Sequence, residues 1–237
     1  MSPQFVRLAA ALYRESEPCF HGNSGEFHHV YKSAATVTRQ PGELDLRNKF
    51  SSLGSPMISV NEFHKAYDTT VAAQGFSFEV KAGEVLGMVG PNGAGKTTTL
   101  RALTGIIPPT SGQLSIAGFD VVGQPVAAKQ QLAYVPDDPQ LFHDLTVEQH
   151  LSFTASTYGV RDADALAMEL LDQFALADKR RTPSRDLSRG MRQKLAICCA
   201  WLHDPTAILL DEPMTGLDPH GIRTLKESVV QRARAGA

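Results

Sequence analysis

Residues 90–98 read Gly90, Pro91, Asn92, Gly93, Ala94, Gly95, Lys96, Thr97 and Thr98. The spacing of two glycines with four residues between them, followed by lysine and threonine, is that of a phosphate-binding loop. Glycines let the backbone curl until successive N–H groups face phosphate oxygens, and a helix starting at the lysine adds its positive dipole end. In that geometry Lys96 reaches β- and γ-phosphates and the Thr97 hydroxyl ligates Mg²⁺. A second chemical feature lies at 206–213, where a short apolar run ends in Asp211 and Glu212. One carboxylate suits a metal contact and its neighbour can polarise an attacking water.

Specific elements must deliver these groups. The compact apolar run from Glu84 to Val89 predicts a strand leading into the loop, and 96–104 predicts a helix closed by Gly105 at its C′ position. The run before Asp211 is short and apolar, as expected of a buried parallel strand that presents its C-terminal acids at the sheet edge. Upstream, 57–67 and 72–80 alternate apolar and polar residues across a polar turn, the pattern of half-buried antiparallel strands. Thr146 to Gln149 fits a capping box and opens a helix to about Tyr158, with another helix from residue 162 onward. Ser188 is a good N-cap for a helix whose stripe is Met191, Leu195, Cys198 and Leu202.

Composition narrows the classes. The chain has 237 residues, 42% hydrophobic and 20% charged, enough for one substantial core or two modest ones. A formal charge of −2 supplies no basic face for nucleic acid. The cysteines Cys19, Cys198 and Cys199 have no metal-ligand spacing and read as free thiols in a reducing compartment. The longest apolar run, residues 195–202, is far short of the ~20 residues a spanning helix requires. Residues 1–56 carry no sustained period and read as an extension outside the folded domain, which we expect over 57–237. His21, His28 and His29 lack the spacing of a metal site and read as part of a solvated tail.

The segment 187–194 places Leu187, Ser188, Gly190 and Gln193 in the pattern of the LSGGQ-type signature, ahead of the second carboxylate strand. With three motifs in order, the sequence from Met57 onward resembles an ABC ATPase, the nucleotide-binding subunit of an ABC transporter. The resemblance implies an α/β P-loop NTPase fold, with a RecA-like parallel sheet, an antiparallel β subdomain and a helical signature subdomain at about 138–200. It also implies ATP and Mg²⁺ as cofactors. Two subunits would sandwich ATP head to tail, the signature of one acting on the nucleotide of the other. A separate transmembrane permease would dock a coupling helix in the groove of the helical subdomain.

Further positions follow from the same resemblance. Tyr67 stands where an aromatic stacks on adenine, with plain core packing as the alternative. Asp218, with Gly216 and Leu217, resembles the D-loop, in a structural role. Asp137 stands where the family has the Q-loop glutamine, so a coupling role carries over while ligation of Mg²⁺ is an open alternative. The pattern looks more like an exporter than an importer. A GTPase reading fails, because Asn48 and Lys49 are followed by Phe50 and Ser51 and not by the guanine-specifying Asp. The sequence ends before the family's switch-histidine strand, and His220, ahead of the last helix, does not replace that histidine. We therefore expect an incomplete sheet and poor turnover. A cassette that binds nucleotide weakly without productive hydrolysis, or a non-transport ABC ATPase, stays open on sequence alone.

Overall fold

The computed structural model describes residues 56–237 and the backbone of His29–Ala34. The calls on Cys19, His21 and His28 lie outside the described residues. Two compact units divide the chain: Met1–Lys129 with Val230–Ala237, and Gln130–Val229.

In the first unit, β2 (Ile58–Tyr67) and β3 (Thr70–Val80) form an antiparallel hairpin; β5 (Ser111–Ile116) and β6 (Phe119–Asp120) extend it in the order β3-β2-β5-β6. This is the antiparallel subdomain expected from the alternation. Ile58, Val60, Phe63, Leu114 and Ile116 share the buried face. The strand β4 (Glu84–Val89) falls where the apolar run predicts and pairs antiparallel with β1 (His29–Ala34), with His29 opposite Val89 and Ala34 opposite Glu84. No strand was legible at 29–34, because six residues give too short a pattern for a period. The helix α1 (Lys96–Leu103) ends at Gly105, whose φ of 67° supplies the left-handed turn; its N–H donates to the Ala102 carbonyl and that of Ile106 to Arg101. The short helix α2 (Pro125–Gln130) follows.

In the second unit, β7 (Leu132–Val135) and β8 (Ala207–Leu210) pair in parallel, Leu132 with Ala207 through Val135 with Leu210. Around them stand α3 (Val147–Tyr158), α4 (Ala163–Gln173), α5 (Arg189–Leu202) and most of α6 (Pro219–Ala235). The capping box is formed: Thr146 Oγ1 accepts from the Gln149 N–H, and the Gln149 side chain accepts from the Thr146 N–H. The fold is of the expected α/β class, with a smaller parallel sheet than the resemblance implied. Among the described residues the parallel ladder is β7 and β8 alone, while β4 is half-buried along its length and belongs to a different sheet.

The centre of the second unit is the buried face of α5, with Leu195, Ile197, Cys198, Trp201 and Leu202. Cys198 and Cys199 pack here as expected; burial pushes both thiols up, that of Cys199 to about 11. Trp201 is 1% exposed, and its indole N–H donates to Ser228 Oγ at 3.2 Å. Trp201→Ala removes that volume and leaves the hydroxyl without its donor. We expect a loss of about 3–5 kcal/mol, read from the urea midpoint by circular dichroism.

Candidate nucleotide site

The loop of residues 90–95 turns on glycines that have no substitute. Gly93 and Gly95 hold φ of 84° and 82°, in the left-handed region. A Cβ on Gly95 would lie 2.5 Å from the Ala72 carbonyl oxygen. Gly95 is also the N-cap of α1, which has no side-chain cap and no acid in its first turn. The first N–H groups of a helix lack intrahelical acceptors, so this end is a ready anion cradle. The Lys96 ammonium donates to the Gly90 and Pro91 carbonyls, each at 2.8 Å, and so rests directly over the loop. Thr97 and Thr98 are half-buried in the first turn, and Thr99 Oγ1 donates back to Gly95 O at 2.8 Å, securing the start of the helix.

Tyr67 is 47% exposed, so it is not a core residue, and Lys65 Nζ lies 4.8 Å from its ring centroid. The ammonium thus sits over one face of the ring at cation–π distance.

The carboxylates sit in the second unit. Asp211 follows β8 and is 7% exposed; its N–H donates to Val135 O and its Oδ2 accepts from Tyr134 Oη at 3.4 Å. Glu212 has φ of 47°. A branched-free but Cβ-bearing residue in the left-handed region costs on the order of 1 kcal/mol, and such strain gathers at functional positions. A carboxylate such as that of Asp211 and a hydroxyl such as that of Thr97 are hard oxygen donors of the kind Mg²⁺ takes, its shell being completed by phosphates and water. Among the described residues no group of three or more His, Cys, Asp or Glu is placed to hold a metal ion.

The signature is held by its neighbours. Ser188 Oγ accepts from the Met191 N–H at 3.2 Å, capping α5 as the sequence predicts. A Cβ on Gly190 would stand 2.3 Å from the Gly216 carbonyl oxygen, so the signature and the D-loop touch where only glycine fits. Ser188 is exposed, whereas Leu187 and Gln193 are 4% and 1% exposed. Leu187 and Gln193, read in the sequence with the group acting on a second subunit's ATP, are thus packed within their own subunit. Gln193 faces inward at helical spacing from Gly190, and its Nε2 donates to Pro136 O at 3.2 Å.

Asp218 is the N-cap of α6. Its Oδ1 accepts from the Gly221 N–H at 2.7 Å, Pro219 occupies the first helical position, and the buried Lys194 ammonium lies 3.2 Å away. The Gly221 N–H, with help from Lys194, holds the Asp218 carboxyl below its ordinary range. A lowered folded value stabilises the protein above the unfolded carboxylate pKa and loses that contribution as pH falls through the lowered value. Asp218→Ala should cost about 1 kcal/mol near neutral pH, and the difference from wild type should vanish in acid, measured by urea midpoints across pH.

Two residues escaped the sequence reading. His150 is 4% exposed; its Nδ1–H donates to Thr146 O at 2.8 Å and its Nε2 accepts from the Phe142 N–H at 3.1 Å. It thereby anchors the loop after β7, on which Phe142 stands exposed, edge-on to Phe153 at 5.3 Å. Arg189 donates to Asp137 Oδ1 at 3.1 Å. The signal for the second was present, since both positions depart from the family pattern, but nothing in sequence joined them.

A glycine cradle at a helix start, a buried strand-end acid followed by a strained glutamate, and a capped signature helix define a P-loop ATP-binding cassette. The family profile described as ABC transporter matches residues 73–215, more than half of the chain. The Linearmycin resistance ATP-binding protein LnrL of Bacillus subtilis (strain 168) is 32% identical over 182 residues, covering 76% of this chain and 58% of that protein. The Nod factor export ATP-binding protein I of Burkholderia pseudomallei (strain 1710b) is 40% identical over 164 residues, covering 68% of this chain and 54% of that protein. The chain thus spans a little over half the length of these two relatives. A solved structure of the ATP-binding subunit of an ABC transporter superposes with a TM-score of 0.71 at 32% identity, covering 76% of each chain. The chain belongs to the ABC transporter ATP-binding family.

Proposed function

We propose that this chain binds and hydrolyses ATP as the nucleotide-binding subunit of an ABC transporter, driving export through a separate membrane protein. The glycine cradle of 90–95, leading into a helix start with no side-chain cap and no acid, carries the reading, because phosphate oxygens complete what that helix lacks. Gly90, Gly93, Gly95, Thr98 and their neighbours bind the phosphates, Lys96 neutralises the β- and γ-oxygens, and Tyr67 stacks on adenine. Bound Mg²⁺, held by Thr97 and Asp211, would offset phosphate charge as the γ-phosphoryl leaves. Glu212 accepts the proton of the attacking water as the new O–P bond forms and the bond to ADP breaks.

Ser188 and Gly190 of one copy act on the ATP of another, with Asp218 holding the adjoining D-loop. The exposed aromatic pair Phe142 and Phe153 supports a docking groove for a membrane subunit. Among the described residues no helix is long and apolar enough to cross a membrane, which suits a place at the cytoplasmic face beside such a partner. The names of the two relatives, one a resistance and one an export protein, support the outward direction.

Titration of the full chain with a fluorescent ATP analogue and Mg²⁺, followed by phosphate release from ATP, tests the reading. Saturable binding displaced by ATP, with phosphate released only in Mg²⁺, is expected. No displaceable binding would overturn it.

A further inference from the structure

Two positions at which this sequence departs from its family's pattern meet in space. Asp137 stands where the resemblance has glutamine, and Arg189 stands between Ser188 and Gly190, where the signature has a third small residue. Their charged groups are 3.1 Å apart, across 52 residues of sequence, and both side chains are about half exposed.

Helix physics makes each one odd alone. Arg189 is the first residue of α5, where the helix dipole is positive and a cation is disfavoured; the first turn of α5 holds no acid of its own. Asp137 brings a carboxylate to that end and offsets both charges. Its neighbour Asp138 is engaged elsewhere, accepting from Gln140 Nε2 at 3.0 Å. One turn further along α5, the buried Gln193 donates to Pro136 O at 3.2 Å, so consecutive residues of the loop after β7 are tied to consecutive turns of the signature helix.

We infer that Asp137 serves as the counter-ion of Arg189 and not as a ligand of Mg²⁺, and that the pair is a positioning device locking the loop after β7 to the signature helix. An acid replacing glutamine and a base replacing glycine keep loop and helix moving together. The inference rests on the ATP-binding reading only for its metal clause; the lock itself exists without nucleotide.

The test uses the full chain with Asp137→Asn, Arg189→Gln and the double variant. Amide hydrogen exchange at 136–140 and 188–191, without nucleotide, should rise about two- to fivefold in each single variant and no further in the double, as expected for loss of one shared exposed ion pair. Additive or absent changes would overturn the lock. In the second arm the Mg²⁺ dependence of ATP-analogue binding is compared. The Mg²⁺ midpoint of Asp137→Asn should stay within about twofold of wild type and match that of Arg189→Gln, because neither group is a metal oxygen. A tenfold or greater shift, roughly the least expected even for a group that only orients a metal ligand, in Asp137→Asn but not in Arg189→Gln would overturn the counter-ion assignment. Absence of nucleotide binding in the wild type would strike the ATPase reading, and the exchange arm would still decide the lock.

Discussion

Lys96→Ala is expected to weaken MgATP binding at least about 30-fold, the loss typical when one partner of a close charge pair is removed. Its ammonium already lies against the Gly90 and Pro91 carbonyls at 2.8 Å, so the charge is held over the cradle before any phosphate arrives. The substitution removes the cation that neutralises β- and γ-oxygens and the two hydrogen bonds that shape the loop. Lys96→Arg should be nearly as defective, because a planar guanidinium does not fit a notch between two adjacent carbonyls. Titration with a fluorescent ATP analogue reads the effect, and affinity unchanged in Lys96→Ala would put the phosphates somewhere else.

Glu212→Gln should lower ATP hydrolysis by roughly 10²- to 10⁴-fold, the range for loss of a general base, while leaving nucleotide binding in place. Glutamine keeps the length and shape of the side chain and the backbone at φ 47°, so the change is confined to proton acceptance. A companion variant separates strain from chemistry. Glu212→Gly, which takes up positive φ at no steric cost, should gain about 1 kcal/mol of stability while losing hydrolysis as severely. Opposite signs for stability and turnover at one position are what a strained catalytic residue produces. Phosphate release and urea midpoints on the same samples check both.

What could be read from sequence was local. The capping box at Thr146 and Gln149, the Ser188 cap and the Gly105 terminator each follow from residues within four positions of one another, as backbone chemistry at helix ends demands, and the strand at 84–89 follows from one run of six. The candidate phosphate loop was legible for the same reason. Long-range pairings were not. The antiparallel partner of β4 comes from a segment some fifty residues upstream, too short to show a period of its own. The burial of Gln193 against Pro136 depends on how α5 meets the loop after β7, a relation that no spacing within the signature encodes. Asp137 was visible as a departure and Arg189 was passed over inside the signature, and a salt bridge between such distant positions is a tertiary fact. The site's chemistry was therefore written in runs of eight residues, and its internal bracing was not.

The head-to-tail ATP sandwich is the central claim, and the mass of the Glu212→Gln chain in solution tests it most directly. By light scattering with ATP and Mg²⁺, the account predicts a species of twice the 25.7 kDa monomer mass that reverts when Lys96→Ala is added. A monomer at saturating ATP would contradict it.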